Sequence, residues 1–322
     1  VAKKCKLFAL IIAFTALYGF LIKAALSPNL PSPSCPLILY SNQNRDDFRL
    51  VLKKSFASAS QSIDLWMYAA TDTLLLSQLQ KRAGQGIAVS LHYDKKGGTP
   101  QLPASLHPQI EKSKGLMHRK IAILDSRIVF LGSANMTTSS LQLHDNLSIG
   151  IYDPQMAQFL KSPTGNTYKF PSGALWLLPD PLALTEIESA INAARSSIFI
   201  AMFTLTQNDL IDALIRAKNR GVEIHLSIDR YTARGASKKA VQKLSAAGIE
   251  IFLSSGLPLL HHKWAYIDKK QLILGSTNWT DSAFHKNQDV LLFLNDLPKQ
   301  LKSQMQSLVS AIQKESEVLD KR

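Results

Sequence analysis

Two stretches of this chain, QSIDLWMYAATDTLLLSQLQKRAGQGIAVSLHYD (residues 61–94) and SSIFIAMFTLTQNDLIDALIRAKNRGVEIHLSID (residues 196–229), align without a gap at a constant offset of 196 − 61 = 135. Ser62/Ser197, Met67/Met202, Thr71/Thr206, Leu79/Leu214, Gly86/Gly221 and Asp94/Asp229 are identical pairs. Each copy begins with an alternating apolar run, continues with apolar residues at helical spacing up to a glycine, and ends in a second alternating run. That is the β-α-β pattern of a sheet covered by helices. The chain is therefore an α/β protein made by duplication.

Downstream of each copy lies a second repeated text, LMHRKIAILDSRIVFLGSAN (residues 116–135) and LLHHKWAYIDKKQLILGSTN (residues 259–278), at an offset of 261 − 118 = 143. The eight additional residues of the second half fall around Arg230, Arg234, Lys238 and Lys239. Two halves, 37–165 and 166–322, follow from this spacing, and the polar segment KSPTGNTYKFPSG (residues 161–173) has the composition of the connection between them.

Each copy of the second text is His-x-Lys-x4-Asp followed by Gly-Ser-x-Asn. The residues are His118, Lys120, Asp125, Gly132, Ser133 and Asn135, then His261, Lys263, Asp268, Gly275, Ser276 and Asn278. Side chains alternate along a strand, so His118 and Lys120 share one face while Arg119 leaves by the other. Asp125 and Asp268 come seven residues after their histidines and fall on the opposite face, where they anchor a turn rather than touch a substrate. One His-x-Lys is commonly a surface pair and one Gly-Ser-x-Asn commonly a turn. Two copies at matching spacing inside a duplication are not explained that way.

The paired motifs resemble those of the phospholipase D superfamily, from about residue 40 onward. The resemblance implies a duplicated α-β-α sandwich whose two similar halves form one shared active site, with catalysis that needs no metal and no cofactor. No His, Cys or carboxylate cluster with ligand spacing occurs outside the motifs. It also implies roles: a histidine attacks phosphorus, the other protonates the leaving oxygen, and water resolves the phosphohistidine. Lys120, Lys263, Asn135 and Asn278 then stabilise the non-bridging oxygens.

In the superfamily an Asn-x-acid segment follows, whose acid orients a histidine. The second copy has Asn287-Gln288-Asp289, the first Asn146-Leu147-Ser148. If the acid of one half serves the histidine of the other, Asp289 holds His118, and His261 is left with Ser148 or Asp145. This asymmetry makes His118 the expected nucleophile and His261 the expected general acid. His144, His262 and His285 have no matching partner and are expected to be bystanders. Trp264 and Tyr266 share His262's face and are expected in the core or an interface. Lys95-Lys96 and the stretch from Arg230 to Lys239 are either solvated loops or rims of a substrate groove.

The 322 residues carry a net charge of +13 and are 46% apolar, which gives a substantial core and a preference for polyanions such as nucleic acid or anionic lipid. Cys5 and Cys35 form no disulfide framework and are expected outside the folded part. Lys3, Lys4 and Lys6 precede an uncharged apolar run at residues 7–22, so residues 1–26 read as an uncleaved signal anchor, or as a signal peptide, with the bulk of the chain translocated. Residues 27–36, SPNLPSPSCP, read as a stiff extended linker. Such an anchor raises the effective concentration of the site against lipid. The expected substrate is therefore a phospholipid and the expected partner a membrane surface. Nucleic acid is the alternative substrate, cardiolipin synthase-like phosphatidyl transfer the alternative reaction, and an inactive scaffold the remaining reading. Both motifs in one chain predict a complete site in a monomer.

Overall fold

The computed structural model describes residues 27–256 and 258–319. The anchor expected over residues 1–26 lies outside them. Among the described residues no helix is long and apolar enough to cross a membrane.

The duplication becomes two sheets of the same design. The first contains β1 (Leu37–Tyr40), β2 (Ser62–Met67), β3 (Ala88–Tyr93), β4 (Pro108–Ile110), β5 (Lys120–Leu124), β6 (Ile128–Gly132) and β7 (Ser148–Tyr152), in the order β1-β7-β6-β5-β2-β3-β4. The second contains β8 (Thr167–Phe170), β9 (Gly173–Leu177), β10 (Ser197–Met202), β11 (Glu223–Ile228), β12 (Glu250–Ser254), β13 (Lys263–Ile267), β14 (Gln271–Gly275), β15 (Val290–Leu294) and β16 (Ser316–Val318), in the order β16-β12-β11-β10-β13-β14-β15-β9-β8. With β8 and β16 removed from its edges, the second order repeats the first strand for strand. The β-α-β copies supply the parallel pairs β2/β3 and β10/β11. The motif strands then pair antiparallel with β2 and β10.

Alternation along β5 and β13 divides the core into three. Ala122 and Leu124 face outward onto helices Phe48–Ser58 and Thr73–Gly84, which contribute Val51, Phe56, Leu75 and Leu79. Ala265 and Ile267 face outward onto helices Pro181–Ala193, Asn208–Asn219 and Lys238–Ala246. The opposite set, Ile121 and Ile123 from one sheet with Trp264 and Tyr266 from the other, forms a third core between the sheets. Helices Pro154–Lys161 and Lys299–Lys314 complete it. The two halves are thus not separate sandwiches laid side by side; they share their inner layer, where Trp264 and Tyr266 are buried as expected of core aromatics.

Two expectations change. The segment read as an extended linker is laid against the first half. Ser32 and Cys35 exchange backbone hydrogen bonds of 3.1 Å in a tight turn, Tyr40 Oη donates to the Asn29 carbonyl at 2.7 Å, and Lys54 Nζ donates to the Pro28 carbonyl at 2.7 Å. Leu30 and Cys35 pack on the apolar cluster of the first half, so Cys35 belongs to the folded part. Proline removes backbone donors without preventing a turn whose remaining groups find partners. The eight additional residues of the second half help to build helix Lys238–Ala246, whose Val241 and Leu244 are buried. In that stretch Arg230 is tied down, with Nε on the Ser254 carbonyl at 2.7 Å and a 2.6 Å ion pair to Glu317.

Candidate active site

The turn after each motif strand is made by residues that tolerate a left-handed backbone. Asp125 and Ser126 have φ of 49° and 51°, Asp268 and Lys269 of 50° and 53°. These are the angles that reverse a right-twisted hairpin. The aspartates do more than turn. Asp125 accepts the backbone N–H of Ser60, Gln61 and Ser62 at 2.7–3.1 Å, and Asp268 accepts those of Arg195, Ser196 and Ser197 at 2.7–3.0 Å. Burial alone raises the pKa of each carboxyl, but these donors outweigh it and hold both below the usual carboxylate range. Each aspartate thereby pins the start of β2 or β10 to the hairpin that carries the histidine.

At the far end of each hairpin the glycine is dictated by contact. A Cβ on Gly132 would strike the Leu147 carbonyl oxygen, and one on Gly275 the Val290 carbonyl oxygen. The serine that follows is the hinge of the site. Ser276 Oγ accepts from the Val290 N–H at 3.0 Å and donates to Asp289 Oδ1 at 2.5 Å, and that same oxygen accepts from His118 Nδ1 at 2.8 Å. The other half repeats the device. Ser133 Oγ accepts from the Leu147 N–H at 3.2 Å and donates to Asn146 Oδ1 at 2.8 Å, and this oxygen accepts from His261 Nδ1 at 3.0 Å.

His118 is therefore held by the second half and His261 by the first. The backbones cross in the same way, with the His118 N–H on the Gln288 carbonyl at 2.8 Å and the His261 N–H on the Asp145 carbonyl at 2.9 Å. The histidines sit just ahead of β5 and β13, in short bridges to the opposite half, rather than within the strands.

The partner expected for His261 was Ser148 or Asp145; it is Asn146. Asn146 and Asn287 are out of register by two residues, since 287 − 146 = 141. The offset of the motifs, 143, pairs Asn146 with Asp289, since 289 − 146 = 143. The two serine bonds follow that register. The Asn146 amide nitrogen is committed to the Ser140 and His144 carbonyls at 2.7 and 3.1 Å, which leaves its oxygen to face His261.

Other residues of the site were not singled out in the sequence. Tyr68 and Phe203, paired by the offset of 135, stand edge-on to His118 and His261 at centroid distances of 5.4 and 5.1 Å. Lys120 Nζ and Lys263 Nζ lie 5.3 and 5.2 Å from the same two rings. Asp94 accepts the Met117 N–H at 2.7 Å, and Asp229 the Leu260 N–H at 3.3 Å. His144, expected to be a bystander, has its ring 6.1 Å from that of His261. His262 is buried away from the site and bonded through Nε2 to Gln43 at 2.7 Å, and His285 is exposed beside Asp281.

The four central side chains share one electrostatic environment. Burial, then the charge of Lys120, lowers the His118 pKa, against the pull of Asp289. Burial, then Lys263, Lys120, His118 and His144, brings His261 well below the usual histidine range. Burial takes Lys120 down to about 7 despite Asp289, and takes Lys263 far below the lysine range with Lys120 adding to the effect. Lys120 Nζ and Lys263 Nζ donate to the carbonyls of His118 and His261 at 2.7 and 2.8 Å. Asn135 and Asn278 each carry a buried amide oxygen without a protein partner among the described residues. Four buried basic groups with so little opposing charge make a site that a bound anion would complement, since its charge favours their protonated forms. Among the described residues no group of three or more His, Cys, Asp or Glu is arranged to hold a metal ion.

Comparisons with known proteins agree with the duplication. Mitochondrial cardiolipin hydrolase of Mus musculus is 35% identical over 128 residues, which are 39% of this chain and 57% of that protein. A phospholipase D of Rickettsia bellii is 28% identical over 141 residues, 44% of this chain and 65% of that one. The alignments thus span less than two thirds of these relatives. A solved structure, phosphatidylserine synthase of Haemophilus influenzae, superposes with a TM-score of 0.71 over 91% of this chain and 90% of that chain at 12% identity, a likeness of fold. The family model described as "Cardiolipin synthase, PLD-like domain" matches residues 52–162 and 187–311, one block in each half, and the chain accordingly belongs to the phospholipase D-like family.

Proposed function

We propose that the protein is a phosphodiesterase of the phospholipase D type that cleaves phospholipid through a phosphohistidine on His118. The observation that carries this reading is the crossed pair of imidazoles, each held at Nδ1 by an oxygen of the opposite half, with a lysine beside each. A Nδ1–H given to Asp289 leaves His118 Nε2 as a lone pair, and a carboxylate partner favours the positive charge that builds on the ring during attack. His118 Nε2 forms the bond to phosphorus. The bond to the leaving oxygen breaks, and His261 supplies its proton. Water then gives a proton back to His261 and attacks phosphorus, and the phosphorus–nitrogen bond breaks. Asn146 orients His261 without adding a charge, which suits a group that must release its proton. The bound diester supplies the negative charge that opposes the depression of the His261 pKa. Lys120, Lys263, Asn135 and Asn278 serve the non-bridging oxygens.

Phospholipid is favoured by the apolar run at residues 7–22, which would hold the site beside a bilayer. An alcohol in place of water at the second step would make the reaction a phosphatidyl transfer. Single-stranded nucleic acid is the second reading, favoured by the net charge of +13. The full chain should be incubated, with chelator throughout, with phosphatidylcholine vesicles, phosphatidylglycerol-containing vesicles and a single-stranded oligonucleotide. Release of phosphatidate is the expected result. Oligonucleotide cleavage without lipid turnover would replace the substrate, and activity lost in chelator and restored by a divalent ion would replace the mechanism.

A further inference from the structure

The internal repeat permits a comparison that the active residues alone do not. The two halves present equivalent backbone at the mouth of the site, so any difference between equivalent positions reflects what each side meets. Lys96 and Tyr231 are equivalent by the offset 231 − 96 = 135, and Leu143 and Lys286 by 286 − 143 = 143. On the His118 side the exposed residues include Lys96, Lys112, Lys114 and Lys286, with Ile110 also 54% exposed. The backbone of the lysines is bound into the site: the Lys96 carbonyl lies 3.5 Å from the hydroxyl of Tyr68, the Lys112 carbonyl accepts from Gln288 at 3.3 Å, and the Lys286 carbonyl accepts the N–H of Gly115, next to Lys114, at 3.1 Å. Among the described residues none of the four lysines forms an ion pair.

On the His261 side Leu143 and Tyr231 are exposed, together with the basic side chains of Arg234, Lys238 and Lys239. Leu143 is 63% exposed and precedes His144, whose ring faces His261; Tyr231 is 59% exposed and precedes Thr232, whose hydroxyl donates to the Phe203 carbonyl. Leu143 and Tyr231 thus stand where the other half carries Lys286 and Lys96, adding apolar surface to a basic mouth.

We propose that this mouth docks on an anionic bilayer, with the four lysines on lipid phosphates and Leu143 and Tyr231 in the boundary between headgroups and acyl chains. The inference rests on the phospholipid reading and adds the surface charge that the protein requires. Unpaired lysines beside exposed apolar side chains match a negatively charged membrane interface, which offers both phosphates and hydrocarbon. A nucleic-acid backbone offers no counterpart to Leu143.

The test is hydrogen exchange of the full chain reconstituted in nanodiscs of phosphatidylcholine alone or with about one third phosphatidylserine, with phosphatidate release measured on the same samples. Segment 7–22 is common to both, so differences report the mouth. Peptides carrying Lys96, Lys112 to Lys114 and Leu143 should exchange more slowly on the anionic discs, by more than about tenfold at low salt. The protection should vanish in high salt. It should vanish also in the combined Lys96→Glu, Lys112→Glu, Lys114→Glu and Lys286→Glu variant, and weaken in the corresponding glutamine variant. Equal exchange on the two surfaces with phosphatidate still released would overturn the docking face and leave the phospholipid reading intact. Protection without phosphatidate release, on these discs and on discs containing phosphatidylglycerol, would sink the phospholipid reading while the surface stands. Stronger protection of the same peptides by a single-stranded oligonucleotide than by anionic discs would assign the rim to nucleic acid.

Discussion

Asn146 and Asp289 occupy equivalent positions and differ by one charge, and the proposed division of labour turns on that difference. Asp289→Asn removes the carboxylate that favours a positive His118 and should slow turnover by about 10²–10⁴-fold. Steady-state kinetics with intact thermal stability checks this. His261→Ala should retain cleavage of a diester with a p-nitrophenol leaving group, which needs little protonation, and should accumulate phosphate on His118. An adduct on His261 in the wild-type enzyme, found by mass spectrometry after quenching, would reverse the roles. Lys120 gives a prediction about stability. Its pKa is pulled to about 7 by burial. Below that value the lysine is charged whether folded or unfolded, so the cost of burying the charge is fully present. From about pH 7 up to the usual lysine range the unfolded chain holds the proton and the folded one releases it, so this group makes the protein more stable as pH rises. Lys120→Met should raise the melting temperature at pH 6 and flatten its rise between about pH 7 and 10, while abolishing turnover. A lower melting temperature at pH 6 would contradict the assigned cost.

The motif aspartates act at the level of hairpins. Asp125 and Asp268 each bind three consecutive backbone N–H groups, and the carboxyls are held below their ordinary pKa. Their contribution is present above the unfolded carboxyl pKa and is lost as pH falls through the lower, folded value. Asp125→Ala or Asp268→Ala leaves three donors to find other partners and should cost about 1–3 kcal/mol each. Denaturant melts at neutral pH measure that cost, and the acid dependence of stability should be smaller in the variants. The glycines admit no such graded loss. Gly275→Ala places a methyl against a carbonyl of β15, so it should separate β14 from β15 and displace Asp289 with them, which a loss of both stability and turnover would register.

The core between the sheets makes the two halves one cooperative unit. Trp264 and Tyr266 from one sheet and Ile121 and Ile123 from the other belong to a single apolar cluster. Trp264→Ala should therefore cost about 3–5 kcal/mol and should lower hydrogen-exchange protection in β5 and β6 as well as in β13 and β14. Loss confined to the second sheet would show that the halves unfold separately. The same docking brings the histidines together, so damage far from the chemistry should reach the site through the crossed bonds to Asp289 and Asn146.

Periodicity and repetition are local properties, and they were legible. The gapless β-α-β repeat, the alternation that sends Ile121 and Ala122 to opposite cores, the two motifs and the turn role of Asp125 and Asp268 could all be read along the chain. Partnership between distant residues could not be read with the same security. His118 meets an oxygen 171 residues away and His261 one 115 residues away. The crossing of the halves and the Asn-x-acid pattern point to Asp289 along the chain, whereas Asn146 carries no acid and stands two residues out of register with Asn287. Nor does local pattern say that Tyr68 and Phe203 stand against the two imidazoles, that the proline-rich segment folds back onto the first half, or that Leu143 and Tyr231 are exposed where the other half carries lysines. Hydrophobic alternation specifies which face of a strand is buried; which hydrogen-bond donor meets which acceptor is decided when the two sheets dock.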